Sequence, residues 1–141
     1  AFISIIALLN WALGLISFGS TILSIELILG YLFMPLAFLM GAPWSEAHIL
    51  GSLMGQKLVL TEFIAYGNLA SLGDSVSTKT ATIAAYALCG FANFASIGIQ
   101  LGGIGSIAPE RKKDLAKLVM KAMIGGALAS WLTATIAGIL L

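Results

Sequence analysis

The chain has 141 residues, of which 60% are hydrophobic and only 9% are charged. An ordinary soluble domain is about one quarter charged, so this composition excludes a surface that faces water on every side and indicates an integral membrane protein. A net charge of +1 gives no signal for binding nucleic acid, and a single cysteine and a single histidine exclude an intrachain disulfide and the common zinc sites.

Five apolar runs follow one another along the chain, at about 1–19, 25–43, 49–72, 81–108 and 115–141. Most reach the length of about 20 residues that a helix needs to cross a bilayer. The first run predicts a spanning helix, and the sequence GST at 19–21 ends it. Because the chain begins inside an apolar run without an initiator Met, we expect it to be part of a longer protein.

The second run contains Pro35 and ends at Gly41. Its periodicity does not decide whether it crosses the bilayer or lies along the surface.

Residues 48–73 carry two charged side chains, Lys57 and Glu62, inside an apolar run. One straight span would place Lys57 and Glu62 near the bilayer centre, where each costs about 2.5–3.5 kcal/mol. Their five-residue spacing puts them about 140° apart around a helix. Two arms of about 10–14 residues are each too short to span. The pattern therefore predicts a re-entrant helical hairpin with its tip near residues 55–61. This tip places four polar side chains beside a wet cavity at half depth, those of Gln56, Lys57, Thr61 and Glu62.

Residues 78–108 are apolar but interrupted by glycines and short polar side chains. One continuous helix would be about 45 Å long, against a hydrocarbon core of about 30 Å. The sequence CGFANFASIGIQLGG at 89–103 lies centrally in this stretch and predicts a discontinuous helix, with one half ending near Gly90 and the other starting near Ser96. Half-helix ends direct dipoles and free backbone groups at one point, so the break is a predicted binding site.

Residues 112–141 predict a last spanning helix. Basic residues cluster at its start, between 111 and 121, and place this end in the cytoplasm by the positive-inside rule; binding to anionic lipid is the alternative for this cluster. Small residues recur every four positions in this helix, at Gly126, Ser130, Ala134 and Gly138, and predict close packing. Tyr66 is interpreted as a packing or interface aromatic.

The predicted fold class is thus an all-α membrane protein with spanning helices, a re-entrant helical hairpin and a discontinuous helix. An ion channel or a structural membrane subunit is one interpretation, because such elements also build pores. The polar groups are chemically mixed, however, which favours binding of a sugar. An intramembrane protease is disfavoured, since the only histidine, His48, lies near the proposed surface, and Asp74 and Asp114 lie at opposite ends of one helix.

Three sequence elements resemble the concentrative nucleoside transporters. They are GxKxxxxEFxAY at 55–66, CGFANFASIGIQ at 89–100 and APERKKDLAK at 108–117. The likeness extends from about residue 1 to 141 and matches the C-terminal half of the bacterial proteins. It implies a multi-pass protein of the cell inner membrane that imports nucleosides, coupled to movement of Na⁺ or H⁺. It also implies a homotrimer in the lipid bilayer, with no enzyme activity and no cofactor besides the coupling ion.

The resemblance implies a division of the chain into three parts. Residues 1–23 correspond to a scaffold transmembrane helix and residues 24–43 to an interfacial helix. Residues 44–141 correspond to half of a transport domain, made of the hairpin at 44–73, the broken helix at 78–108 and the last helix at 112–141. The hairpin that reads the nucleobase and most of the ion site lie outside this chain, so base preference and the choice between Na⁺ and H⁺ stay open.

The resemblance also implies roles for four site residues. Glu62 corresponds to a carboxylate that accepts hydrogen bonds from ribose hydroxyls, Asn93 and Ser96 to further ribose partners, and Phe91 to an apolar wall against the sugar. Gln56 and Lys57 are possible contributors at the hairpin tip.

Each role has a structural alternative. Glu62 and Lys57 would form an ion pair across the tip. Asn93 and Ser96 would form interhelical hydrogen bonds or cap a helix. Phe91 would pack in the core.

Overall fold

The computed structural model describes residues 2–15, 17–18 and 21–141. These residues form seven α-helices, namely α1 (Phe2–Gly14), α2 (Ile25–Leu39), α3 (Trp44–Val59), α4 (Glu62–Leu72), α5 (Thr78–Leu88), α6 (Phe94–Ile107) and α7 (Lys112–Leu140). Two short strands, β1 (Ser17–Phe18) and β2 (Thr21–Ile22), pair antiparallel between α1 and α2. The prediction of an all-α protein is confirmed for the described residues, apart from this two-residue β pair.

The first helix is shorter than the predicted helix over residues 1–19. α1 ends at Gly14, after about 20 Å, because glycine is a poor helix former and the backbone beyond it pairs as β1 with β2. The predicted break at 19–21 falls partly outside the described residues. Asn10 ties α1 to α2, since its Nδ2 donates to both carboxylate oxygens of Glu26 at 3.0 and 2.9 Å.

The core forms where α2 and α3 pack along each other and α5 and α7 complete the layer. Glycines permit this approach: a Cβ added to Gly51 would lie 2.5 Å from the carbonyl oxygen of Gly30, and one added to Gly55 would lie 2.7 Å from Cβ of Leu29. The largest apolar side chains of this core are contributed by α3, α5 and the end of α2, and they are Met40, Leu50, Met54, Ile83 and Leu88. Ala134 of α7 belongs to the same core.

α3 and α4 are consecutive helices joined by a two-residue turn at Leu60 and Thr61. Thr61 caps the start of α4, because its Oγ1 accepts a hydrogen bond from the backbone N–H of Ile64 at 3.4 Å. The turn folds α4 back beside α3, where Asn68 Nδ2 donates to Oε1 of Gln56 at 2.6 Å. Glu62, the first residue of α4, is thereby placed directly beyond the turn.

The stretch from 78 to 108 contains two helices. α5 ends at Leu88 and α6 begins at Phe94, so each boundary lies two residues before the position predicted for it. Gly90, between them, has φ +101°, a conformation that L side chains rarely adopt.

α7 is the one helix among the described residues that is long and apolar enough to cross a membrane, in the range Pro109–Leu140. Apolar stretches of α1, α2 and α6 are shorter. Two of the four small residues predicted to pack in α7 face the interior: Ala134 is buried, and a Cβ added to Gly138 would collide with the carbonyl oxygen of Met40, whereas Gly126 is exposed. α7 therefore supports the core along its second half.

Candidate functional site

Glu62 and Asn93 meet although 31 residues separate them. Nδ2 of Asn93 donates a hydrogen bond to Oε2 of Glu62 at 2.9 Å. Glu62 opens α4 and Asn93 is the N-cap of α6, so the contact joins two helix N-termini, where partial positive charge stabilises a carboxylate. Asn93 is 3% exposed and Glu62 is half-buried. Two predicted site residues thus form one polar centre.

Ser96 fixes the orientation of Asn93 through a capping box. Oδ1 of Asn93 accepts from the backbone N–H of Ser96 at 2.8 Å, and the backbone N–H of Asn93 donates to Oγ of Ser96 at 3.3 Å. The Ser96 hydroxyl in turn donates to the carbonyl oxygen of Asn93 at 2.6 Å. Because Oδ1 is engaged in this way, the Asn93 amide group is left pointing at Glu62. These contacts agree with the structural alternative in which Asn93 and Ser96 cap a helix.

Phe91 and one carboxylate oxygen form the open side of this centre. Phe91 lies two residues before Asn93 in the break, and 77% of it is exposed. Oε2 of Glu62 accepts from Asn93, and no donor among the described residues occupies Oε1. The arrangement offers a hydrogen-bond acceptor and an aromatic surface, a combination that suits a polar ligand with an apolar face. No group of three or more His, Cys, Asp or Glu side chains that could hold a metal ion lies in the described part of the chain.

Lys57 also reaches the break but does not pair with Glu62. Its side chain is 0% exposed, and Nζ donates to the backbone carbonyl oxygens of Ala87 at 3.1 Å and Cys89 at 3.4 Å. The ion pair that the structure contains within its described residues joins Arg111 to Asp114 instead. The alternative of a Lys57–Glu62 ion pair therefore does not describe this structure.

Gln56 points away from the polar centre. Besides accepting from Asn68, it donates to Oγ of Ser52 at 3.3 Å. It lines a cavity of about 200 Å³ between α3 and α4, together with His48 and Leu72. Of the two possible hairpin-tip contributors, the structure brings Lys57 to the break and leaves Gln56 on another face.

Tyr66 and Ser130 are polar contacts of the break that the sequence analysis missed. The Tyr66 hydroxyl donates to the carbonyl oxygen of Ala85 at 2.6 Å, and Oγ of Ser130 donates to the carbonyl oxygen of Cys89 at 2.6 Å. Both residues were interpreted as packing residues. The available signal was the hydroxyl itself, because a Tyr or Ser inside an apolar helix generally finds a hydrogen-bond partner.

Residues 1–138 match the family described as Na+ dependent nucleoside transporter C-terminus. The chain is therefore a member of this nucleoside transporter family. The predicted resemblance to the concentrative nucleoside transporters is confirmed.

Curated relatives carry transporter names. The chain is 53% identical over 140 residues to the Uncharacterized transporter YutK of Bacillus subtilis, covering 98% of this chain and 35% of that protein. It is 43% identical over 146 residues to the Nucleoside permease NupC of Helicobacter pylori, covering 99% and 35%. It is 41% identical over 157 residues to the Sodium/nucleoside cotransporter 1 of Mus musculus, covering 99% and 24%. The chain spans about a third or less of the length of these relatives.

Solved structures of a related protein share the fold. The chain superposes on a variant of CNTnw in the intermediate 2 state with a TM-score of 0.90 and 45% identity, over 99% of this chain and 36% of that one. It superposes on CNTnw in an inward-facing substrate-bound state with a TM-score of 0.84 and 44% identity, over 97% and 33%. The arrangement of α1–α7 is therefore the one found in part of a transporter.

Proposed function

We propose that this chain is the ribose-binding part of a secondary active transporter that imports nucleosides, coupled to Na⁺ or H⁺. The observation that carries the proposal is the hydrogen bond between Asn93 and Glu62. This bond joins the start of α4 to the break between α5 and α6. The names of the relatives support a nucleoside as substrate, and the Sodium/nucleoside cotransporter 1 favours Na⁺ as the coupling ion.

The lengths of α3, α4 and α7 support the membrane arrangement that we propose. α3 and α4 have 16 and 11 residues, or about 24 and 17 Å, too short to cross a core of about 30 Å, so we assign them to a re-entrant hairpin. α5 and α6 are the halves of a discontinuous helix at half depth. α1 is the scaffold helix, α2 lies at the interface, and α7 spans a cell inner membrane in which three copies form a homotrimer.

The chemistry of the polar centre suits a ribose diol. One ribose hydroxyl donates to Oε1 of Glu62, the second hydrogen of the Asn93 amide donates to a ribose oxygen, and Phe91 covers the apolar edge of the sugar. Ser96 holds the Asn93 side chain in place. A deoxynucleoside leaves the half-buried carboxylate without one donor, and an unsatisfied charged group costs more than a neutral hydrogen bond gains.

Uptake of labelled uridine by the full-length protein in proteoliposomes tests the proposal. An imposed Na⁺ gradient should drive uptake. Glu62→Gln should reduce nucleoside affinity about 10- to 150-fold, because hydrogen bonds to charged groups contribute about 1.5–3 kcal/mol.

Glu110→Gln, at an exposed carboxylate before α7, is the matched control and should leave uptake unchanged. Absence of uptake under both a Na⁺ and an H⁺ gradient, in folded protein, would overturn the proposal.

A further inference from the structure

The carboxyl end of α5 is held by donors from three other helices. The last carbonyl groups of a helix have no partner inside it and carry partial negative charge. Here the Ala85 oxygen accepts from Tyr66 of α4, the Ala87 oxygen from Lys57 of α3, and the Cys89 oxygen from Lys57 and from Ser130 of α7. These hydrogen bonds therefore fix the position of the carboxyl end of α5.

Lys57 is the charged member of this set. A fully buried ammonium is costly unless oxygen atoms replace its water, and the two backbone carbonyls do so at 3.1 and 3.4 Å. Carbonyl ends of half-helices coordinate cations in transporters. In this chain the cation at the carbonyl groups is the Lys57 ammonium, which is covalently part of α3.

The two charged residues that flank the turn after α3 thereby contact the two ends of the break, each with the complementary charge. Lys57, before the turn, meets the negative carboxyl end of α5. Glu62, after the turn, meets Asn93 at the positive amino end of α6. The segment 89–93 lies between these two attachments, and its backbone position determines where Asn93 and Phe91 stand.

We propose that Lys57 is a positioning residue of the binding site, whose ammonium holds the carboxyl end of α5 and so fixes the segment that presents Asn93 to Glu62. It acts through the backbone and does not touch the substrate. Only the ligand-binding part of its test rests on the proposed function.

The test compares Lys57→Met with Lys117→Met, an exposed lysine of α7, in the full-length protein in detergent. Hydrogen exchange of the backbone amides of residues 89–93 is followed by mass spectrometry, and uridine affinity by calorimetry. In Lys57→Met the amides should exchange at least about tenfold faster and the uridine Kd should rise at least about tenfold. In Lys117→Met both quantities should stay as in the native protein.

Ser130→Ala adds a second measurement, the coupling between two variants in hydrogen exchange at 89–93. A merely structural role of Lys57 would not change this coupling. Ser130 and Lys57 share the Cys89 oxygen as acceptor, so their effects on exchange at 89–93 should be non-additive in the double variant. Additive effects would show that the two side chains act on separate features and would overturn the shared role.

The other outcomes of the exchange and affinity measurements also support or overturn the proposed role of Lys57. Unchanged exchange at 89–93 in folded Lys57→Met overturns the proposal, as does unchanged uridine affinity where the native protein binds uridine. If exchange rises but the native protein binds no uridine, the holding of the break stands and the proposed function fails. Should Lys57→Met not fold, Lys57→Gln replaces it; a smaller rise in exchange supports the proposal and no rise overturns it.

Discussion

The two helices that flank the turn at Leu60 and Thr61 are attached to the molecule in different ways. α3 buries nine of its 16 residues, whereas α4 buries one of its 11, Ala65. α3 packs its glycines directly against the backbone of α2. In this chain, then, one arm belongs to the apolar core and the other lies on its surface.

Besides apolar contacts of a few residues with the core, α4 is held by side-chain hydrogen bonds. They join Glu62 to Asn93, Tyr66 to the Ala85 carbonyl and Asn68 to Gln56. A helix with few buried apolar contacts opens at a lower free energy than one that forms the core. Packing thus positions the helix that carries Lys57, whereas polar contacts position the helix that carries Glu62. This difference suits a fixed positioning residue in α3 and a ligand-binding residue in α4.

The largest effect is expected from Gly51→Ala in α3. The added Cβ would lie 2.5 Å from the Gly30 oxygen and 2.9 Å from the Met34 nitrogen, and these are backbone atoms that cannot rotate away. Overpacking of this kind costs about 1–3 kcal/mol, occasionally more. Thermal unfolding of the full-length protein in detergent should therefore show a clear loss of stability. A midpoint equal to that of the native protein would show that α2 and α3 do not form the rigid part of the chain.

A smaller effect is expected from Tyr66→Phe in α4. The change removes the hydroxyl that donates to Ala85 and keeps the ring. Hydrogen bonds between helices in membranes contribute about 0.6 kcal/mol on average and at most about 1.7, so the loss of stability should lie in this range. Hydrogen exchange at the end of α5 should also become faster.

Tyr86→Phe is the matched control for this prediction. Tyr86 lies on α5, and its hydroxyl bonds to no residue in the described part of the chain. Equal losses of stability in the two variants would argue against a polar attachment of α4 at Ala85.

The break between α5 and α6 was largely predictable because its signals are local. Glycine and short polar residues in an apolar stretch indicated it, and an asparagine three positions before a serine forms the capping box that starts α6. The exact start moved from Ser96 to Phe94 because Asn93 takes the cap position and Ser96 the third helical position. Glu62 and Asn93 were selected as site residues by a different route, since their roles were implied by the resemblance to the transporter family.

The attachments of the break were not predictable because their acceptors are backbone groups. Lys57 bonds to carbonyls 30 and 32 residues away, and Ser130 to one 41 residues away. Backbone carbonyls leave no mark in the sequence, and side-chain chemistry alone offered only Glu62, as the alternative interpretation, for a partner of Lys57. The early end of α1 was missed for a related reason, since the pairing of β1 with β2 is not visible in the apolar pattern.

A small effect of opposite sign is expected from Gly67→Ala in α4. A Cβ at this position meets no atom within 4 Å in this chain, and alanine is favoured over glycine inside a helix by about 0.5–1 kcal/mol. The variant should gain that amount of stability in the same unfolding measurement, where Gly51→Ala loses more. A loss similar to that of Gly51→Ala would show that α4 is packed in the full-length protein as tightly as α3, and that its exposure is a property of this chain by itself.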